Sequence, residues 1–275
     1  MPPTSTRTAS RTARRLRAPL ERLVRDVGEA ARARQARLRS EHVRSKGVGD
    51  FVTEVDLQSE RRLRRALTSL LPDAGFLGEE TAPIDLEREH VWVVDPIDGT
   101  SNFARGLPMF AVSVALLRRG RPLLGAVHCY PEDATYSAVH REGARRGRTA
   151  LRRPRGRFDD GAIFGCQWFR GSADMGFLGA LQSGGARIRT LGSTVVQLCD
   201  CAAGRLDGNV QQQGRVWDFA AAGLIAEESG LRFTDWAGER VFPLRDLQRE
   251  HTATVAAPAR VHREILSLLA PFCRS

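Results

Sequence analysis

Lysine is almost missing from this chain: Lys46 stands alone among 42 basic residues, and the rest are arginine. That bias reflects composition rather than a selected role for guanidinium chemistry. No apolar run reaches the roughly 20 residues that span a bilayer, and no apolar core of a secretory signal follows the first residues. A cytoplasmic protein is the resulting expectation. Cysteine is sparse and odd in number, at Cys129, Cys166, Cys199, Cys201 and Cys273. Such a set excludes a disulfide framework and favours reduced, buried thiols. Cys199 and Cys201 are one residue apart rather than two, which argues against a zinc or redox pair. The six histidines never recur at i, i+4, so a histidine metal site is not expected either.

Positive charge is abundant but local. The net charge is +10 over 275 residues, and residues 1–50 alone carry 13 basic against 5 acidic side chains. The remainder is close to neutral. Residues 1–13 are polar, lack acids and show no apolar periodicity, so a disordered basic tail is expected there. A transit peptide would look similar, and arginines could give such a tail sequence-independent affinity for nucleic acid. The apolar fraction of 42% and the chain length suit a sizeable core, in one large domain or two subdomains.

Elements then alternate without repeats. Leu16, Leu20, Leu23, Val24 and Val27 have helical spacing within residues 15–39. Phe51–Val55 reads as extended, and Asp56 opens a helix with an apolar stripe through Leu63, Leu67 and Leu70, ended by Pro72-Asp73. Val91–Val94 reads as a buried strand that Pro96 should end just after Asp95. Phe110–Leu117, Leu123–Tyr130 and Thr135–Val139 read as successive antiparallel strands. The Arg- and Gly-rich residues 141–161 read as a surface connection, giving a boundary between residues 14–150 and 151–275. Strand Ala162–Gln167, a helix near 172–182, helix Ser193–Ala203, strand Leu206–Val210 and helix Asp218–Ser229 follow. A hairpin about Trp236-Ala237-Gly238, a strand near Thr252–Ala256 and a helix over Arg260–Leu269 complete an α+β chain built in layers.

Chemistry concentrates in four acidic patches at element junctions, where loops commonly carry function. They are Val52-Thr53-Glu54-Val55-Asp56, Gly78-Glu79-Glu80, Asp95-Pro96-Ile97-Asp98-Gly99-Thr100 and Trp217-Asp218. Asp56 and Asp218 could serve simply as helix N-caps, and Glu79-Glu80 as a solvated pair. Two acids at the end of an apolar strand are different, because burying them is costly unless something neutralises them. A hard divalent cation with oxygen ligands, Mg²⁺ above all, answers that need.

The four patches, in this order and spacing, resemble the inositol monophosphatase family of magnesium-dependent, lithium-sensitive phosphomonoesterases. The resemblance runs from about residue 20 through Leu191-Gly192-Ser193-Thr194 and Ala202–Gly208 to Trp217-Asp218-Phe219-Ala220-Ala221-Ala222-Gly223. It implies a layered α-β-α-β-α sandwich, of the type shared with fructose-1,6-bisphosphatase, in a homodimer. It also implies two or three Mg²⁺ per site: one on Glu79, Asp95 and the carbonyl of Ile97, and a second on Asp95, Asp98 and Asp218. Glu79 and Thr100 would position the attacking water, and Asp56 would accept a hydrogen bond from the Thr100 hydroxyl. Gly99 and Thr100 N–H groups would meet the phosphate, while Asp98, Ser193, Thr194 and Gln211 would line the leaving-group pocket.

Two departures bear on substrate. Gln211 stands where the inositol-phosphate branch commonly has an acid, and Thr194 where a small residue is usual. Inositol 1-phosphate is the first expectation. Histidinol phosphate, sugar bisphosphates such as fructose 1,6-bisphosphate, and nucleotide 3′-phosphates are the alternatives. An RNA- or transcription-associated binding protein, using the basic N-terminus, is the competing class. A haloacid-dehalogenase phosphatase is excluded, because its two aspartates are two residues apart whereas Asp95 and Asp98 are three apart.

Overall fold

A computed structural model describes residues 4–37, 43–47, 50–168, 175–249 and 251–273. Its first helix, α1 (Thr4–Gln35), buries Leu16, Leu20, Val24, Val27 and Ala31 along one stripe, as their i, i+4 and i+3 spacing requires. The expectation of disorder over residues 1–13 is corrected from Thr4 onward. Ala13 is buried, and Arg14 Nε lies 2.6 Å from Glu142 Oε1, so the helix has an apolar and an ionic reason to extend past the legible stripe. A short antiparallel pair, β1 (Val43–Gly47) and β2 (Asp50–Thr53), leads into α2 (Glu54–Leu70).

Seven strands form the first sheet: β3 (Gly75–Gly78), β4 (His90–Asp98), β5 (Ala111–Arg118), β6 (Arg121–Cys129), β7 (Ala134–Val139), β8 (Ala144–Arg146) and β9 (Thr149–Ala150), in sequence order. β3 and β4 are parallel and the rest antiparallel. The stretch expected as a surface connection therefore supplies β8 and β9. Its Arg-rich composition hid two short strands, the second of which, β9, forms the sheet's edge. A five-residue helix, α3 (Thr100–Ala104), follows β4.

The second sheet has order β11-β10-β12-β14-β13. Its strands are β10 (Ile163–Gln167), β11 (Arg187–Arg189), β12 (Gly208–Gln211), β13 (Arg232–Thr234) and β14 (Thr254–Ala257). Between them run α4 (Gly176–Ser183), α5 (Thr194–Ala202), α6 (Val216–Glu228) and, after β14, α7 (Ala259–Leu269). The start of the helix expected near 172 lies outside the described residues. β11, reading Arg-Ile-Arg, has no apolar alternation to announce it.

Five layers result. α1 and α2 cover one face of the seven-stranded sheet through Leu20, Leu63, Leu67, Trp92 and Val114. α5 and α6 fill the space between the two sheets with Leu198, Phe219, Leu224 and Ile225. α4 and α7 close the far face of the second sheet through Phe177, Leu181, Ile265 and Leu269. The expected α-β-α-β-α sandwich is what the chain forms. α6 is apolar almost all round because it is covered on both sides. Its small residues allow close approach: a Cβ on Gly125 of β6 would stand 2.9 Å from the Ala221 carbonyl oxygen. All five cysteines are free thiols, four buried and Cys273 exposed; burial pushes Cys166 up to about 12. Among the described residues no helix is long and apolar enough to cross a membrane.

Candidate metal centre

β4 carries the centre, and its end departs from the expected strand stop. The strand continues through Pro96 to Asp98, with a register shift between Asp95, paired with Ser113, and Asp98, paired with Ala111. Proline is tolerated at such an irregularity because no ladder bond is asked of its nitrogen. The shift also solves a geometric problem. In a regular strand residues three apart point to opposite faces; an irregular register re-aims one of them. Asp95, Asp98 and Asp218 each offer a carboxylate oxygen within 4.8 Å of the other two.

Each carboxylate is held by its own backbone surroundings. Asp95 Oδ1 accepts from the Ile97 N–H at 3.0 Å. Asp98 Oδ2 accepts from the Val195 N–H at 2.9 Å and from the Ser193 hydroxyl, which places it at the N-terminus of α5. Ser193 is itself the N-cap, accepting from the Val196 N–H at 3.1 Å. Asp218 sits in the first turn of α6, and its Oδ2 accepts from the Arg215 N–H at 2.7 Å. Asp218 is thus the third helical residue rather than the cap itself.

Asp95 is 1% exposed. Burial first, then the charges of Glu79, Asp98, Asp218 and Asp56, drive its carboxyl well above the usual range. Asp98 is pushed up to about 6 by burial, against the lowering effect of its bonds from Ser193 and the α5 backbone. Like charges crowded into a buried space cannot all ionise unless a cation joins them. Hard oxygen donors in that number and proximity fit a divalent ion such as Mg²⁺.

Glu79 enters from the end of β3, where its N–H donates to the Val94 carbonyl at 3.2 Å. Of the carboxylates around Asp95 it exerts the strongest influence. Asp56 lies in the first turn of α2, 1% exposed. The Thr100 hydroxyl stands 3.1 Å from Asp56 Oδ1 and 2.9 Å from the Ile97 carbonyl oxygen, so its single proton is shared between these acceptors. Gly99 precedes it at φ +93°, a conformation open to glycine, and a Cβ there would meet the Met109 carbonyl oxygen at 2.7 Å.

The structure separates Gln211 from this group in character. It is 1% exposed, its Nε2 donates to the Gln213 carbonyl at 2.9 Å and its Oε1 accepts from Thr254 at 3.3 Å. Both ends of the amide are engaged within the protein. Thr194 opens α5 and is buried.

Two residues that support the centre were not singled out from the sequence. Glu60, one turn beyond Asp56 on α2, is fully buried and accepts from the Glu80 N–H at 2.8 Å and the Thr81 hydroxyl at 2.5 Å. It fixes the loop that carries Glu79. Asn102 Nδ2 donates to the carbonyls of Met109 and Leu191 at 2.8 and 2.7 Å, tying α3 to the loop before Ser193. An acid at i+4 from Asp56 on an otherwise apolar helix face was the available signal for Glu60; Asn102 had none.

A layered fold around a buried carboxylate cluster, seated where β4 ends, defines a class, and comparison with known proteins identifies it. The inositol monophosphatase family model matches residues 13–271, and the chain belongs to that family. It is 37% identical to inositol-1-monophosphatase of Rhizobium meliloti over 226 residues, covering 78% of this chain and 80% of that protein. It is 33% identical to Nus factor SuhB of Haemophilus influenzae over 233 residues, covering 82% and 85%. The solved Thermotoga maritima IMPase superposes with a TM-score of 0.81 at 26% identity, covering 91% of this chain and 95% of that one.

Proposed function

We propose that this chain is a Mg²⁺-dependent phosphate monoester hydrolase, with inositol 1-phosphate as its leading substrate. The convergence of Asp95, Asp98 and Asp218 carries the reading. Glu79, Asp95 and the Ile97 carbonyl would hold one Mg²⁺, and Asp95, Asp98 and Asp218 another, in a site of two or three ions. Bound divalent cations supply the positive charge that makes water acidic enough to attack and that stabilises the phosphoryl and leaving oxygens.

The chain's own groups do the positioning. Thr100, with its proton shared between Asp56 and the Ile97 carbonyl, presents its hydroxyl oxygen as an acceptor that orients the attacking water beside Glu79. Gly99 and Thr100 N–H groups face the phosphate, and the absence of a Cβ at Gly99 lets the backbone approach. Ser193 and Thr194, with Asp98, border the alcohol. Because the Gln211 amide is engaged internally, Gln211 contributes shape rather than charge to the alcohol pocket. Family likeness extends the proposal to inhibition by Li⁺ and to a homodimer.

A second reading, association with RNA or the transcription machinery, draws on the basic N-terminal segment and on the name of the Haemophilus influenzae relative. A pure binding protein has no physical need to gather buried carboxylates, which cost stability. Phosphate release from inositol 1-phosphate, histidinol phosphate, fructose 1,6-bisphosphate and a nucleoside 3′-monophosphate, each with Mg²⁺ and with excess EDTA, tests the proposal. Mg²⁺-dependent release, fastest from inositol 1-phosphate, is expected. No release from any of the four, or release indifferent to EDTA, overturns it.

A further inference from the structure

A basic cavity of about 990 Å³ opens at the turn between β5 and β6, far from the carboxylates. β5 sets the separation, since Ala111 pairs with Asp98 and Arg118 pairs with His90. Seven residue steps at ~3.4 Å each place the two roughly 24 Å apart. Arg118, Arg119 and Arg121 come from the β5–β6 turn and Arg141 from the turn after β7. Arg232 and Arg240 come from β13 and the loop beyond it, and Arg14 of α1 closes the remaining side. Glu142 and Glu227 are the acidic side chains among these walls. Seven guanidinium groups thus face two carboxylates.

The walls are built rather than loose. The Leu244 N–H donates to the Gly120 carbonyl at 2.9 Å, and Arg121 Nη2 donates to the Phe242 carbonyl at 3.0 Å. The Glu228 carboxylate accepts from the N–H groups of Arg141 and Gly143 at 2.6 and 2.9 Å. Arg14 is paired with Glu142, and Glu89 is shared by Arg118 at 2.8 Å and Arg119 at 3.6 Å. These pairs leave a surplus of positive charge over the cavity. Leu123, Val139, Leu231, Phe233 and Pro243 supply an apolar side to the same space.

We propose that this cavity binds a nucleoside di- or triphosphate, its phosphates on the arginines and its base against the apolar side. Planar guanidinium forks match phosphate oxygens two at a time. Arginines that line one cavity concentrate positive charge there, which favours an anion. The volume falls in the range of small-molecule sites and far exceeds one inorganic phosphate. A half-open cavity bounded by four elements suits a compact ligand better than a nucleic-acid strand, which needs a continuous track. The inference is independent of the phosphatase reading.

The full chain in excess EDTA, where divalent ions are withheld from the carboxylate cluster, is titrated calorimetrically with ATP, ADP, adenosine, tripolyphosphate and a short single-stranded RNA. ATP and ADP are expected to bind and adenosine not to; tripolyphosphate should bind at least tenfold more weakly than ATP. Arg119→Glu and Arg240→Glu, both at exposed positions, should each weaken ATP at least tenfold while Mg²⁺-dependent phosphate release and the unfolding midpoint stay unchanged. Asp95→Asn should leave ATP binding intact. Absence of ATP binding, or binding unaffected by both arginine substitutions, overturns the site. Tripolyphosphate binding as tightly as ATP overturns the nucleoside assignment, and RNA binding more tightly than ATP through the same arginines overturns the compact ligand.

Discussion

Thr100 shows how much a single side chain is asked to do. In the proposed role its hydroxyl oxygen is an acceptor toward water, which it can be only if its proton is committed elsewhere. Asp56 and the Ile97 carbonyl provide that commitment. Thr100→Ala is therefore expected to lower turnover about 100-fold, the scale of one well-placed proton-handling group. Thr100→Ser should keep most of it, with both variants folded by circular dichroism; equal losses in the two would contradict the role. The Asp95 to Thr100 hexapeptide marked these residues as candidates, because acids after an apolar strand have no inexpensive structural use. What it could not announce was how Gln211 spends its amide. Its carbonyl partner Gln213 is two residues away, but Thr254 is brought opposite Gln211 by the pairing of β12 with β14, a tertiary event invisible in local sequence.

At the scale of elements, the end of β4 is where local rules and tertiary demand diverge. Proline predicts a strand stop at Asp95; the sheet instead carries the strand on through a shifted register to Asp98, and that shift makes the two aspartates neighbours. Gly99 then turns the chain into α3 at φ +93° with no room for a side chain. Gly99→Ala should cost about 1–3 kcal/mol of stability, read as a lower midpoint in urea unfolding, together with a loss of activity. An unchanged midpoint would contradict the packing described. Helices with apolar stripes, α1 and α2, were legible because their period reports their buried face. β8, β9 and β11 were not, since strands of two or three residues owe their pairing to neighbours rather than to their own pattern.

Over the whole molecule, a net charge of +10 coexists with an acidic centre because the positive charge lies elsewhere, in the first 50 residues and around the β5–β6 cavity. Acid sensitivity has a separate source in the outer layer. His262 of α7 is buried against Thr234, 2.9 Å from its hydroxyl. Burial, then the charge of Arg232, push its imidazole down to about 4. An unfolded histidine titrates near 6.5, so between about 6.5 and 4 the unfolded chain binds a proton that the folded one refuses. Stability is then complete above about 6.5 and falls as pH drops through that window, by up to roughly 2–3 kcal/mol. The raised carboxyls of Asp95 and Asp98 act in the opposite sense in metal-free protein. The informative quantity is accordingly the difference between wild type and His262→Gln. Urea unfolding at pH 7.5 and pH 5 should show a smaller acid loss in the variant; equal losses would contradict the assignment.

The layered architecture follows from where apolar surface lies: one stripe on α1 and α2, both sides of α6, one side of α4 and α7. It delivers four acidic patches, distant in sequence, to one end of β4. These patches are proposed to form a cation site that performs phosphate ester hydrolysis, and Asp95 lies at its middle. Asp95→Asn keeps the acceptor for the Ile97 N–H while removing the charge that four neighbouring carboxylates oppose. Mg²⁺-dependent phosphate release from inositol 1-phosphate, measured for wild type and Asp95→Asn alongside thermal unfolding in EDTA, is the most direct test. Release by the wild type is expected, abolished in a variant that unfolds at an equal or higher temperature. Undiminished release by that variant would contradict it.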